Sequence, residues 1–379
     1  MSFARRIWLL APGLAFAACT SVVDIQNSTG GAGGVGGASS SVGTGGSTPP
    51  AVHAGPPPPG EAAAPPDLTK HLAFAVNRFF LGDTDPDGTP DVMNGWRHLG
   101  YDVDGKISTA SSTDLCQPFF PTEPKYLHLD DGDDEIDNAF SRHLLPIFLG
   151  MNADFTKNIQ TNVAAGRSTL LIAVDGIGAG ADYAPLPARL YAGAPLGHAA
   201  AFDGTDVWPV RPYALSDPAD VGKAVAHTDA SYLVGDTWVG RFQGVLDLEL
   251  PTSALGSIHL QITAPVVSMR LDPAHQTVKG GVIAGVCATS TISDTMKQAL
   301  IYVDPNPAYW CTGSGNPNNI LPQLEQASDI LHDGTQDPAQ NCDGISVGLG
   351  FEAVPVVVGP VGEPEPPLPS PCGYDAGAP

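Results

Sequence analysis

The sequence predicts a mainly β domain with helical decoration, of antiparallel β-sandwich or jelly-roll type, behind a disordered N-terminal tether. Three observations lead there. From Ser168 onward, short apolar runs recur between Gly, Pro and Asp turns. Val245-Leu246-Asp247-Leu248-Glu249-Leu250 alternates strictly, as in a strand with one buried and one wet face. Gly and Pro are abundant (44 and 37) while charged residues are only 15%, which suits loop-rich β structure better than helices.

Four regions follow from composition. Residues 1–18 carry a basic Arg5-Arg6 and then an apolar run, Ile7 to Ala18, too short to span a bilayer, so they read as a signal peptide. Residues 19–66 are Gly/Ser-rich and then Pro/Ala-rich, and bury too little apolar surface to offset their ordering entropy. Residues 67–360 form the β-rich domain, and 361–379 are a Pro-rich tail.

Within the domain, Leu72, Ala75, Val76, Phe79 and Phe80 stand at helical spacing, predicting a helix over Leu68–Phe80. Two further helices are expected over Ile136–Phe148 and Phe155–Ala165. Strands are expected over Thr169–Val174, Tyr232–Val239, Gln243–Leu250, Ser257–Ile262, Val266–Leu271 and Thr277–Cys287. Helices over Thr291–Tyr302 and Ile320–His332 come next, and apolar strands over Ile345–Val358 close the domain.

The stretch with most chemistry is Leu81 to Gly105. Asp83, Asp85 and Asp87 alternate, Gly88 can turn the chain with positive φ, and Thr89, Asp91 and Asn94 supply later oxygens. Like charges this close are unfavourable without a cation, and all-oxygen donors suit Ca2+ in a structural role. The pattern D-x-D-x-D-G-x-x-D-x-x-N is similar to one thrombospondin type 3 unit. It departs from an EF-hand at Pro90 and Asn94. Asp102 and Asp104, with Asp137 from the acidic run Asp130 to Asp137, are candidates for a second metal site. A solvated turn and loop is an equal reading of them.

With 17 basic against 40 acidic residues the net charge is −23, which disfavours nucleic acid and anionic membrane surfaces. Six cysteines without a C-x-x-C fit an oxidising compartment. Leu14-Ala15-Phe16-Ala17-Ala18-Cys19 resembles a bacterial lipobox, with Phe16 in place of the usual Leu. That resemblance implies cleavage before Cys19 and a diacylglycerol on its thiol. With Thr20 next, it implies an outer-membrane address in a Gram-negative host. Of the remaining five cysteines, Cys287 lies in an apolar strand and is expected to be free. Cys116, Cys311, Cys342 and Cys372 allow three pairings, of which Cys311–Cys342 is preferred.

No catalytic signature stands in the chain: neither G-x-S-x-G, H-E-x-x-H, S-x-x-K nor a phosphate-binding Gly loop. Asp247 and Glu249, or Asp203 and Asp206, are the acids that a carbohydrate-active hydrolase would use. Asp247 and Glu249 resemble the alternating acids of jelly-roll glucanases, but in the wrong order and without a third acid. Phe202 to Trp208 and Tyr309-Trp310 carry aromatics beside turns, as sugar-binding modules do. As a whole the chain resembles bacterial lipoproteins of no assigned activity, which share the lipobox, the tether, D-x-D-x-D-G and G-Y-D-x-D-G (here Gly100 to Gly105). The sequence expectation is therefore a surface-tethered, calcium-stabilised binding or adhesion lipoprotein. Its membrane contact is the lipid, and its ligand is a glycan or a protein at the cell surface. A secreted hydrolase is the alternative.

Overall fold

The computed structural model describes residues 53–61, 63–109, 111–118, 130–252, 257–303 and 320–364. Cys19, Tyr309, Trp310, Cys311 and Cys372 lie outside the described residues.

The core is one antiparallel sheet. Its strands are β1 (Asp67–Phe80), β2 (Leu170–Gly176), β3 (Tyr183–Ala192), β5 (Ala226–Val234), β6 (Thr237–Arg241), β8 (Ser257–Leu271), β9 (Val278–Ala288) and β10 (Gly344–Pro355). They pair in the order β6-β5-β3-β2-β1-β10-β9-β8, and β8 pairs back onto β6, so the sheet closes into an eight-stranded barrel. Each strand pairs with its neighbour in the chain, which is a meander, and closure leaves no open edge on this ring. β7 (Val245–Pro251) extends β6 along the same edge of β8: Arg241 lies opposite Val266, and Val245 opposite Thr263. The β-rich expectation holds, but the two packed layers of a sandwich are here one closed wall.

Alternation places one residue set inside. Phe74 and Val76, Ile172 and Val174, Leu233, Trp238, Val267 and Met269, Ile283, Leu349 and Phe351 form one continuous buried cluster. Outside, β4 (Val207–Val210) and β11 (Val357–Val361) pair in parallel. Trp208 and Val210 pack on Ala75, Leu171, Ala173 and Tyr191 of the barrel wall. Trp208 is thus a core residue, stacked on Phe202, and not a sugar platform.

Several expected elements differ, each for a physical reason. Leu68–Phe80 is strand β1, not a helix. Both of its faces are buried, Phe74 inward and Ala75 outward, and a continuous apolar run does not declare its period. Tyr232–Val239 is a hairpin, because Gly235 (φ 55°) turns the chain between Val234 and Thr237. Ser257–Leu271 is one strand. The break expected near Pro265 is a bulge, with Ala264 at φ 46° and the register shifted between Thr263 and Val266. β3 was hidden by Pro185 and Pro187, around which its pairing to β5 shifts register.

The helices are few. A π-turn over Phe140–Leu144 runs into α1 (Leu145–Met151), and α2 (Phe155–Ala164) buries Phe155, Ile159 and Val163. α3 (Thr289–Val303) lies close to its expected span, while α4 (Ile320–Gln326) stops short, since Ile330 bridges to Gly344. Among the described residues no helix is long and apolar enough to cross a membrane.

The disulfide joins Cys116 to Cys342, overturning the preferred Cys311–Cys342 pairing. The loop ending at Gln117 lies alongside Asn341, and Cys342 N–H donates to Gln117 O at 2.8 Å, which brings the two Cα atoms to 5.2 Å. Cys287 is a buried free thiol, its pKa pushed up by burial. A thiol reagent is therefore expected to leave the native chain unmodified at Cys287 and to label it once the unreduced chain is denatured. Equal labelling in both states, read by peptide mass mapping, would show that β9 opens in the native protein.

Candidate metal centre

Outside the barrel, the chain from Trp96 to Lys106 crosses β10. Gly348 allows the crossing: a Cβ there would stand 2.2 Å from Leu99 O and 2.8 Å from Gly100 Cα. Gly100 itself sits at φ 129°. Asn138 ties the crossing together. Its Nδ2 donates to Leu99 O and Gly348 O, both at 2.9 Å, and Gly348 N–H returns a bond to Oδ1 at 3.0 Å.

This fixes the neighbouring Asp137 beneath Tyr101 to Asp104. Asp137 N–H donates to Tyr101 O at 3.0 Å. Its Oδ2 accepts from Val103 N–H (2.6 Å) and Asp104 N–H (3.2 Å). Asp102 Oδ1 accepts from Gly105 N–H at 2.7 Å. Asp104 accepts from Lys106 N–H (2.8 Å) and from Gln336 Nε2 (2.6 Å). Asp102, Asp104 and Asp137 each place a carboxylate oxygen within 4.8 Å of the others, the one such group of three ligand-type side chains among the described residues.

Two more carboxylates surround this trio. Asp131 accepts from Ser108 N–H at 3.0 Å, and fully buried Asp329 accepts from Ser346 N–H at 2.9 Å. Burial is the first cause of every shift here. It pushes the Asp131 pKa up to about 8 and that of Asp329 to about 7, with Asp104 adding repulsion to both. Asp137 is raised well above the carboxylate range by burial, then by Asp104, Asp131 and Asp329. Asp104 is also raised by burial, against the bond from Gln336. Lys106 sends its ammonium to Asp114 at 2.6 Å instead of inward, and His53 reaches Asp102 from the strap of chain that precedes the barrel.

No family model, no curated protein and no solved structure matches this chain. Its own donor set is therefore the ground for any functional reading. Three converging carboxylates offer oxygen ligands only, the donor type that hard cations take, and backbone N–H groups already donate to each of them.

The structure treats the first loop differently. Asp91 N–H donates to Asp83 O (3.0 Å) and Asp85 N–H to Thr89 O (2.8 Å), forming a tight hairpin turned by Gly88 (φ 86°). Asp87 caps Thr89 N–H at 2.8 Å, and Asp91 caps Asn94 N–H at 3.0 Å. No three carboxylates among Asp83, Asp85, Asp87 and Asp91 gather as the later trio does. Yet Asp83 Oδ1, Thr84 Oγ1 and Asp85 Oδ1 are buried without a hydrogen bond, Asp85 Oδ1 standing 3.7 Å from His98 Nε2.

The acids of the hydrolase alternative each hold partners of their own. Both oxygens of Glu249 accept hydrogen bonds, from Arg211, Ser168, Tyr213 and Ser257. Asp247 pairs with His259 at 2.7 Å. Asp203 and Asp206 cap their own turn, on Thr205 and Phe202 N–H. Sequence reasoning missed Asp329 and Gln336, which come from more than 190 positions beyond Asp137 (see Asp104–Gln336, 232 apart) and carry no local signal.

Proposed function

We propose that this chain is an exported, calcium-stabilised binding protein, lipid-anchored at Cys19 to the bacterial outer membrane and holding its barrel away from the surface on the Gly/Ser/Pro-rich tether. The observation that carries the calcium reading is the convergence of half-buried Asp102 and Asp104 on buried Asp137, with Asp131 and Asp329 around them. Five neighbouring acids, two buried and three half-buried, repel one another unless protons or a cation are shared among them. A divalent cation offsets two of the trio's three negative charges, and calcium tolerates the irregular oxygen shell better than magnesium does. The Asp83–Asn94 hairpin is a second cation position, supported by its orphaned oxygens. The ligand bound at the cell surface is a glycan or another protein, and the acidic chain, at −23, avoids nucleic acid.

The test is thermal. Calcium that binds only the folded chain stabilises it by about 2.7 kcal/mol at a hundredfold excess over Kd. The melting temperature of the full chain should rise between EDTA and millimolar calcium, and less with magnesium. Asp137→Asn should remove most of the rise, and a residual rise abolished by Asp85→Ala would locate the second ion. Equal melting in EDTA and calcium, with no heat of binding, overturns the cation reading. Separately, Cys19→Ala should move the protein out of the membrane fraction and abolish its lipid mass. Unchanged fractionation overturns the anchor.

A further inference from the structure

The chain before β1 does not leave the barrel freely. Ala54 N–H donates to Asp134 O at 2.6 Å, and Asp102 N–H donates to Ala54 O at 2.9 Å. Tyr232 OH donates to Pro57 O at 2.6 Å. Further on, Ala64 N–H donates to Asp182 O (3.0 Å) and Ala184 N–H to Ala64 O (3.1 Å). Residues 54–60, Ala-Gly-Pro-Pro-Pro-Pro-Gly, thus lie as a strap between two fixed ends. Where the tether's last residues were expected to be disordered, they are seated on the barrel.

The chemistry of the two sides matches. Prolines lack an N–H, so a run of four offers carbonyl oxygens and apolar rings only. The Tyr232 hydroxyl on the barrel meets the run at Pro57 O, and the Asp102 amide, on the crossing chain, holds Ala54 O just ahead of it. It adds a hollow of about 210 Å³ lined by Gly55 and Pro56 on the strap side and by Tyr101, Arg241, Thr263 and Val266 on the barrel side. Fixed proline φ angles hold such a run extended before it binds, so docking it costs little conformational entropy. Aromatic-lined grooves with a few donors are how proline-rich peptides are recognised generally.

We propose that this groove is a recognition site for extended proline-rich segments, occupied here by the chain's own residues 54–60 and able to take a proline-rich segment of another protein in their place. Few hydrogen bonds hold the proline run itself, so the strap can exchange with a competitor. The proposal rests on the Asp102 amide and the Tyr232 hydroxyl; because His53 also reaches the Asp102 carboxylate, a candidate cation ligand, the titration is run in EDTA, where the cation reading plays no part.

The experiment uses the full chain carrying Pro56→Ser, Pro57→Ser, Pro58→Ser and Pro59→Ser, which weakens the internal competitor. A fluorescent peptide of residues 53–61 is titrated into it by anisotropy. Saturable binding is expected, at least tenfold weaker in the unsubstituted chain, whose own strap competes at high effective concentration. Tyr232→Ala in the serine background should weaken binding roughly tenfold and Tyr232→Phe roughly fivefold, with unchanged circular dichroism. Absence of saturable binding overturns the proposal, as does equal affinity for a proline-free peptide or indifference to Tyr232→Ala. Tighter binding of a peptide of residues 363–371 than of the strap peptide overturns the assigned occupant.

Discussion

Glu249→Ala is expected to destabilise the folded chain by about 3–5 kcal/mol, the range for breaking a buried ion pair from one side. Glu249 and Arg211 are 6% and 4% exposed, so neither charge has water to fall back on. Arg211 grips the carboxylate with Nε at 3.1 Å and Nη2 at 3.0 Å. Ser168 (3.0 Å), Tyr213 (3.1 Å) and Ser257 (2.7 Å) donate to its remaining lone pairs. Removing Glu249 takes the bidentate carboxylate from the guanidinium and the acceptor from three hydroxyls at once. Urea unfolding is the measurement, and a melting temperature lower by roughly 10 °C is the matching thermal result. Replacing both partners, as Arg211→Met with Glu249→Leu, should restore much of the loss, because the desolvated charge is then gone as well. A loss below about 1 kcal/mol for Glu249→Ala, as exposed pairs give, would mean that water enters this cluster.

In EDTA the folded chain should become less stable as pH rises from 5 to 8. Burial raises Asp131 to about 8 and Asp329 to about 7, against 3.8 for an ordinary aspartate. Between those values the folded state holds protons that the unfolded chain has released. Stability therefore falls with rising pH across that window and levels off beyond about pH 8. The melting temperature should drop on the order of 5 °C over the window. Calcium should reverse the trend, since it competes with protons for the same acidic neighbourhood and gains affinity as they leave. A melting temperature that is flat or rising from pH 5 to pH 8 in EDTA would contradict the raised values. Asp329→Asn, which keeps its place beside Ser346 but cannot ionise, should flatten part of the slope.

Local pattern carried much of this protein. The alternation of Val245 to Leu250, the apolar run to Cys287 and the helix at Phe155 are legible because each reports its own period over several residues. Asp102, Asp104 and Asp137 were legible as oxygen donors, and the structure brings those three together. Position along the chain could not say that Asp87 and Asp91 would accept from amides of their own turn, or that the later trio would be the one to converge.

The rest was decided between distant segments. β1 is a strand because β2 and β10 flank it and bury both of its faces, a fact absent from residues 67–80 themselves. Glu249 reads as the wet side of an alternating strand until Arg211 and Tyr213 cover it. Cys342 pairs with Cys116 across 226 positions, which spacing cannot reveal. Closure of the sheet into a barrel rests on β6 meeting β8, a long-range pairing of hydrogen bonds that no window of sequence contains. Residue order limits which segments can serve as strands, turns and acids. Which of them meet is set by packing, because burial, and with it each shifted carboxylate, is a property of what packs against a residue and not of its neighbours in the chain.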